Sequence, residues 1–346
     1  MAAMHQPQPT APVTLPGRGL RVIGTGSALP RRVLSNAELE GMVETSDDWI
    51  TTRTGIKTRR IAGHNEETSQ LAAAAARNAL AMAGVAAGEL DMIVVGTITP
   101  DMTMPSCACL VQRELGATGA FAFDLNAACS GFLYALDLAD KYIRCHPAWK
   151  ILVIGAETLS ARVDWQDRNT CVLFGDGAGA CVVTGPEPGS PDDGRGYLLA
   201  SLFADGSLWE LLHLEGAPKH NAELQANREA APCIKMYGRE VFRHAVRAMT
   251  DAVGRVLAAA GCSPAQLSLV VPHQANIRII QSLAEHLALA SEKVYVNVDK
   301  YGNTSAATIP IALDEANRQG RLAAGDLVLL CSFGGGFTWG ASLLRW

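Results

Sequence analysis

The sequence predicts an α/β protein built from two duplicated halves, and three observations carry that expectation. Short apolar runs bounded by turn residues alternate with longer helical patterns, the order expected of βαβ units around a mostly parallel sheet covered on both faces. The same succession of strand, helix, strand, turn, helix and strand occurs twice along the chain. A length of 346 residues, 49% hydrophobic and 18% charged, supplies a large core without disulfides or metals and is too apolar for extended disorder.

In chain order, strands are expected at 20–24, 92–96, 120–125, 150–155 and 180–184, then at 267–271, 294–298, 327–331 and 340–345. Runs such as MIVVG and LVLLC have strand length and no polar face, as strands buried on both sides do. Ser35 and Glu38 have the spacing of a capping box that opens a helix. Residues 69–83 are alanine-rich, with high helix propensity, and Gly84 ends them. A third helix, 132–144, follows Cys129. A fourth, 240–260, places Val241, Ala245, Met249, Val253 and Val256 on one face and stops at Gly261.

The duplication shows in the spacing. From the strand end at Val95 to Cys129 is 34 residues, and from the strand end at Val271 to Asn303 is 32. An N-terminal half over 19–185 and a C-terminal half over 231–346 follow. Between them, 186–230 is rich in Gly, Pro, Asp and His and is expected to be a connecting excursion. Residues 1–18 hold Pro and Gln without a continuous apolar stretch, so a short disordered tail is expected, neither signal peptide nor membrane helix.

Composition narrows the function. A net charge of −5 argues against a nucleic-acid binder, and no run of 18 apolar residues exists to cross a membrane. The nine cysteines have no paired spacing and no Cys-x-x-Cys, which excludes a disulfide framework and a zinc ribbon. Reduced thiols point to a cytoplasmic protein. No metal or prosthetic group is expected. Gly24-Thr-Gly26 follows a strand but has Leu29 where a dinucleotide fingerprint needs its third glycine. Gly175–Gly179 leads into a strand, and no Gly-x4-Gly-Lys-Ser/Thr is present.

Cys129 stands apart from the other thiols. It sits among small residues, Asn126-Ala-Ala-Cys-Ser-Gly131, between a strand and a helix, where unpaired N–H groups and the helix dipole favour a thiolate. A buried structural cysteine is the simpler reading. His273 lies just after the strand LSLVV, and Asn303 between strand and helix in YGNTSA; each alone reads as a structural or capping residue. In open α/β sheets, functional groups gather beyond the carboxyl ends of strands, so two halves related by a pseudo-twofold axis would bring all three together. Gly334-Gly-Gly336 offers bare N–H groups suited to an oxyanion hole, or simply a tight hairpin.

Taken together, the motifs RVIGTGSALP, TSDDWITTRTGI, AACSGF, FGDGAGA, VPHQANIRII, YGNTSAA and SFGGGFTWG closely resemble β-ketoacyl-acyl-carrier-protein synthase III. That family holds the initiating condensing enzymes of bacterial fatty-acid synthesis within the thiolase superfamily. The resemblance runs from about Leu20 to Trp346. It implies a five-layered αβαβα thiolase-like fold, normally a homodimer, and a ping-pong Claisen condensation of an acyl-CoA, acetyl-CoA by default, with malonyl-acyl carrier protein.

The resemblance also implies the roles of individual residues. Cys129 would be the nucleophile, and the N–H groups of Cys129 and Gly335 the oxyanion hole. His273 Nε2 and Asn303 Nδ2 would both donate to the malonyl thioester oxygen. Trp49, Arg53 and Arg168 would hold CoA, next to an Asn169 and an Arg239 that replace the glycine and asparagine of some relatives. Arg243 and Arg278 would receive the acidic carrier protein, with Arg239, Arg243 and Arg247 recurring every four residues along one helix face. Phe333 and Met104, the latter reaching across a dimer where phenylalanine is common, would bound the acyl pocket.

Two rivals remain. One is another CoA-primed condensing enzyme making a quinolone, polyketide or long-chain β-ketoacid. The other is a Cys-His-Asn thiol hydrolase.

Overall fold

The computed structural model describes residues 19–187, 194–216 and 233–346. The expected tail over 1–18 and much of the 186–230 stretch lie outside the described residues.

The N-terminal half opens with β1 (Arg21–Ala28). A two-stranded ribbon, β2 (Arg32–Ser35) and β3 (Thr58–Ile61), encloses α1 (Asn36–Glu40) and α2 (Asp47–Thr54). Then come α3 (Thr68–Ala83), β4 (Met92–Gly96), α4 (Cys107–Leu115), β5 (Phe121–Leu125), α5 (Gly131–Cys145), β6 (Lys150–Thr158), α6 (Arg168–Cys171) and β7 (Asp176–Thr184). The second part runs β8 (Gly196–Ala204), β9 (Leu212–His213), β10 (Lys235–Met236), α7 (Gly238–Ala259) and β11 (Leu269–Pro272). It ends with α8 (Ile277–His286), α9 (Val298–Tyr301), α10 (Thr308–Arg318), β12 (Leu327–Gly334) and β13 (Thr338–Arg345).

Strand order shows the duplication directly. The first sheet is β1-β7-β6-β4-β5 and the second β8-β13-β12-β11. In each, a parallel pair (β4 with β6, β11 with β12) is followed by two antiparallel neighbours. The place of β5 falls in the second half to 294–298, where the expected strand does not form. It shrinks to one parallel bridge between Val270 and Val294, and Val298 already begins α9. The Gln274 side chain takes over where the ladder would continue, donating to the Tyr295 carbonyl at 3.0 Å and accepting the Asn297 N–H at 2.9 Å. The connecting excursion also needs correcting: its described part contains β8, a full nine-residue strand paired with β13.

Three apolar clusters hold the layers together. The alanine face of α3, with α4, covers the outer side of the first sheet. Small side chains let that helix lie close on β1, β7 and β6. The helices α5 and α10 fill the space between the two sheets through Phe132, Leu136, Ile309 and Leu313. On the far side, α7 and α8 bury Met249, Val253, Val256 and Ile280 against the second sheet. The result is five layers, αβαβα, as expected.

The β2–β3 ribbon was not foreseen, because four-residue strands carrying Arg32, Arg59 and Arg60 show no apolar pattern. Arg59 staples it to the body. Its fully buried guanidinium donates to the Leu34 carbonyl, the Asn36 side chain and the Val172 carbonyl. This fixes α2, which carries Trp49, beside the mouth of the cavity described next.

Candidate active site

The carboxyl ends of the central strands from both halves meet at a cavity of ≈ 1350 Å³, and Cys129, His273, Asn303 and Gly335 all line it. The convergence expected from strand-end placement therefore occurs. Cys129 occupies a 3-10 turn, Ala128–Ser130, between β5 and α5. The hydroxyls of Ser332 and Thr338 clamp this turn to the second half, donating to the Cys129 carbonyl (2.8 Å) and the Ala127 carbonyl (2.7 Å). Gly334 is required by contact: a Cβ there would stand 2.6 Å from the Cys129 nitrogen. The glycine run is both the β12–β13 hairpin turn and a donor site, since the N–H groups of Cys129 and Gly335 face the sulfur and pull its pKa down.

Burial nevertheless dominates at that sulfur. Desolvation pushes the Cys129 thiol up to about 11, against the Ser305 hydroxyl and the two N–H groups. The expected thiolate-favouring helix terminus is outweighed, so the resting group is a thiol that needs a base.

His273 follows β11, its N–H bonded to the Cys331 carbonyl at 2.8 Å. Its ring is buried, and loss of solvent lowers its pKa to about 3, so the imidazole is neutral at physiological pH. Nδ1 lies 2.7 Å from the Thr308 hydroxyl, and that hydroxyl donates to the Ser305 carbonyl at 2.9 Å. A hydroxyl has one proton, so the direction of the Nδ1–Thr308 bond follows from which ring nitrogen carries the hydrogen.

Asn303 is held by its backbone and by its amide. Its N–H donates to the Leu173 carbonyl at 2.8 Å and its carbonyl accepts the Gly175 N–H at 3.0 Å. The preceding Gly302 has φ +64°, where a Cβ would also press on the Leu173 carbonyl at 2.7 Å. The amide oxygen accepts the Ser305 N–H at 2.8 Å, which leaves Nδ2 as the group able to donate.

Sequence reasoning missed Glu157 and Ser305. Glu157, next to last in β6, is wholly buried, accepting from the Thr97 and Thr99 hydroxyls and the Ile98 and Thr99 N–H groups. Burial raises it to about 7, and its charge in turn raises the Cys129 thiol. A carboxylate closing the apolar run ILVIGA was the available signal. The buried Ser305 hydroxyl acts on both, lowering the pKa of each.

At the mouth, the Arg53 and Arg168 guanidinium groups lie over the Trp49 ring, 4.7 and 5.1 Å from its centroid. Trp49 and Arg53 line the cavity, and Arg168 is tied to the Glu44 carbonyl at 3.0 Å. Arg243 on α7 and Arg278 on α8 line the same mouth, Arg278 lying over Phe242. Phe333 forms part of the wall, packed on Phe337 at 4.7 Å. Met104 lies away from this wall, 84% exposed.

Two duplicated sheets thus bring Cys129 and His273 to one cavity. Comparison with known proteins assigns the family. Residues 123–206 match the family 3-oxoacyl-[acyl-carrier-protein] synthase III, and residues 257–346 match its C-terminal counterpart. The β-ketoacyl-[acyl-carrier-protein] synthase III of Desulfotalea psychrophila is 57% identical over 325 residues, spanning 94% of this chain and 99% of the relative.

Among solved structures, the 3-oxoacyl-[acyl-carrier-protein] synthase III of Aquifex aeolicus VF5 superposes with a TM-score of 0.88 at 53% identity, covering 95% of this chain and 100% of that one. A priming β-ketosynthase from the R1128 polyketide biosynthetic pathway superposes with a TM-score of 0.87 at 35% identity, covering 98% of each. The chain belongs to the 3-oxoacyl-[acyl-carrier-protein] synthase III family, the condensing enzymes that initiate type II fatty-acid synthesis.

Proposed function

We propose that this chain joins a short acyl group from acyl-CoA to malonyl-acyl carrier protein, with loss of CO2, through an acyl-Cys129 intermediate. The observation that carries this reading is that Cys129, His273, Asn303 and Gly335 all line one cavity. In the first half-reaction the Cys129 proton passes to His273 Nε2 while the sulfur attacks the thioester carbonyl. The tetrahedral oxyanion rests on the N–H groups of Cys129 and Gly335. The C–S bond to CoA then breaks, and the CoA sulfur leaves with the proton from Nε2.

In the second half-reaction, loss of CO2 from the malonyl thioester leaves an enolate whose oxygen takes a hydrogen bond from Asn303 Nδ2. Its carbon attacks the acyl-Cys129 carbonyl, the Cys129 sulfur leaves as thiolate, and a proton from solvent restores the thiol. An amide that cannot give up its proton suits this electrostatic task, and removing one such donor costs about 10²–10³ in rate. The chemistry calls for no metal or prosthetic group, because the CoA thioesters enter and leave as substrates.

The Trp49, Arg53 and Arg168 cluster offers a purine an aromatic face and cationic planes, and is read as the CoA nucleotide site. Arg243 and Arg278 are read as the docking face for an acidic carrier protein. Acetyl-CoA is the default primer, with Phe333 bounding the acyl pocket. A homodimer is supported by β5, an edge strand whose exposed Phe121 clusters with Phe123, Tyr142 and Trp149. In that assembly the exposed Met104 would serve the partner's pocket, and a sedimentation mass of one chain would contradict it. All nine cysteines are free and no described helix is long and apolar enough to cross a membrane, which fits a cytoplasmic location.

The test is incubation with malonyl-acyl carrier protein and a panel of acyl-CoAs, read by mass. A 3-oxoacyl product on the carrier protein is expected. Free acid with no new carbon–carbon bond would point to a hydrolase, and product on malonyl-CoA in preference to the carrier protein would point to a different condensing branch.

A further inference from the structure

The reaction proposed above forms a tetrahedral oxyanion twice, once when Cys129 is acylated and once when the enolate attacks acyl-Cys129. Both rest on the same two N–H groups, and these come from different halves of the chain. Cys129 belongs to the turn before α5, Gly335 to the turn between β12 and β13. Their spacing is therefore a tertiary property. Local sequence does not fix it, because Gly335 stands in a run of three glycines, the residue with the widest choice of backbone angles. On the other side Ala128 holds φ +46°, a left-handed conformation that a residue with a Cβ keeps only when its surroundings impose it.

We propose that Thr338 is the positioning residue that sets this spacing, its side-chain hydroxyl bridging the two backbone segments that carry the oxyanion donors. Thr338 Oγ1 lies 2.7 Å from the Ala127 carbonyl and 3.2 Å from the Gly335 carbonyl. A carbonyl only accepts, so the hydroxyl donates and its one proton is shared between the two segments. Thr338 is itself fixed as the first residue of β13, opposite Gly334 on β12 and Ala204 on β8. Its carbonyl accepts the Ser130 hydroxyl at 3.1 Å, so side chain and main chain of one residue both grip the Cys129 turn.

Contact and hydrogen bonding act in opposite senses here. At Gly334 a Cβ would stand only 2.6 Å from the Cys129 nitrogen, so the two segments are already at closest approach. The Thr338 hydroxyl keeps them from drifting apart. It also holds the peptide before Ala128, while the Ser332 hydroxyl holds the Cys129 carbonyl at 2.8 Å, so the left-handed residue is bracketed. Cys129 and Gly335 line the cavity and Thr338 does not, so the hydroxyl reaches the reaction only through the backbone that it holds.

This inference rests on the acyl-Cys129 reading, and its test compares reactions of Cys129 that do and do not form an oxyanion. Thr338→Val keeps the branched shape and removes the hydroxyl. Acylation by acyl-CoA, followed by intact-protein mass, is expected to fall about 10-fold or more, short of the roughly 10²–10³ of a donor removed outright. Single-turnover condensation of the pre-acylated protein with malonyl-acyl carrier protein should fall by a similar factor. KM for acyl-CoA should stay within about threefold, since the interaction lost is one made in the transition state. Alkylation by iodoacetamide displaces iodide at a saturated carbon and develops no oxyanion. Its rate, mapped at the Cys129 peptide, should change about threefold at most. Thr338→Ser should restore both acyl-transfer steps. Thr338→Ala, which removes the same hydroxyl with less bulk, carries the same expectations where valine is not accommodated.

Unimpaired acyl transfer in the hydroxyl-free variants, an equal loss of alkylation, or no recovery with serine would overturn the proposal. If the natural protein is alkylated at Cys129 yet takes no acyl group from acyl-CoA, the parent reading fails instead.

Discussion

At Cys129, opposing influences act on one sulfur. The N–H groups of Cys129 and Gly335 and the Ser305 hydroxyl favour the thiolate, whereas burial and the Glu157 charge oppose it and prevail, to about 11. His273 is held neutral down to about 3 by its own burial. Acylation therefore begins from a neutral thiol–imidazole pair, and its pH dependence follows. Imidazole protonation cannot reduce the rate between pH 5 and the usual histidine range near 6.5. Glu157, by contrast, loses its proton near 7, and its charge then raises the thiol further. The acylation rate should be flat on the acid side and bend downward near pH 7, and the bend should vanish in Glu157→Gln. A rising limb near 6.5 that survives in Glu157→Gln would mean that His273 titrates as an ordinary histidine.

The residue scale was also where sequence reasoning was most uneven. Cys129 and His273 were legible because each follows a strand end in a run of small or turn-forming residues, and Asn303 because of its turn-forming run, although the strand expected before it does not form. Thr308 and Ser305 were not, because their meaning lies in partners on other elements. The Thr308–His273 bond joins residues 35 apart in sequence, across α10 and the end of β11.

Among the elements, α7 and α8 do two jobs with two faces. Met249, Val253 and Val256 of α7 pack on the second sheet, while Arg243, 54% exposed, and Arg278 face the cavity mouth. Among the described residues the ion pair of Arg243 is a long 3.8 Å contact with Glu240, and its side chain is 54% exposed, which suits a charge that meets a partner. Charge reversal at Arg243 and Arg278 should raise KM for malonyl-acyl carrier protein and leave acyl-CoA acylation nearly unchanged. Parallel losses for both substrates in steady-state and single-turnover assays would argue that these arginines serve the cavity rather than the carrier.

The helical periodicity made the buried face of α7 legible in advance, and alanine content did the same for α3. Short strands gave no such signal. β2 and β3 are too brief and basic for a pattern, and β8 falls in a stretch whose glycines and prolines on either side read as a loop. The run 294–298 failed in the other direction. Its Val-Tyr-Val-Asn-Val alternation is strand-like, but the Gln274 amide occupies the hydrogen-bonding positions that a ladder would use.

For the molecule as a whole, duplication is what builds the site. Four strands of each sheet share one order and sense, and the first half delivers Cys129 while the second delivers His273 and Asn303 to one cavity. The spacings of 34 and 32 residues anticipated that convergence, although the layer count came with the family resemblance rather than with the spacing. The central claim is that acyl groups pass through Cys129 on the way to a new carbon–carbon bond. Its most direct test is a chase: load the protein with labelled acyl-CoA, map the labelled peptide, then add malonyl-acyl carrier protein. The label should sit on Cys129, be absent in Cys129→Ser, and move intact into 3-oxoacyl carrier protein. Label on another residue, or label leaving Cys129 only as free acid, would contradict the account.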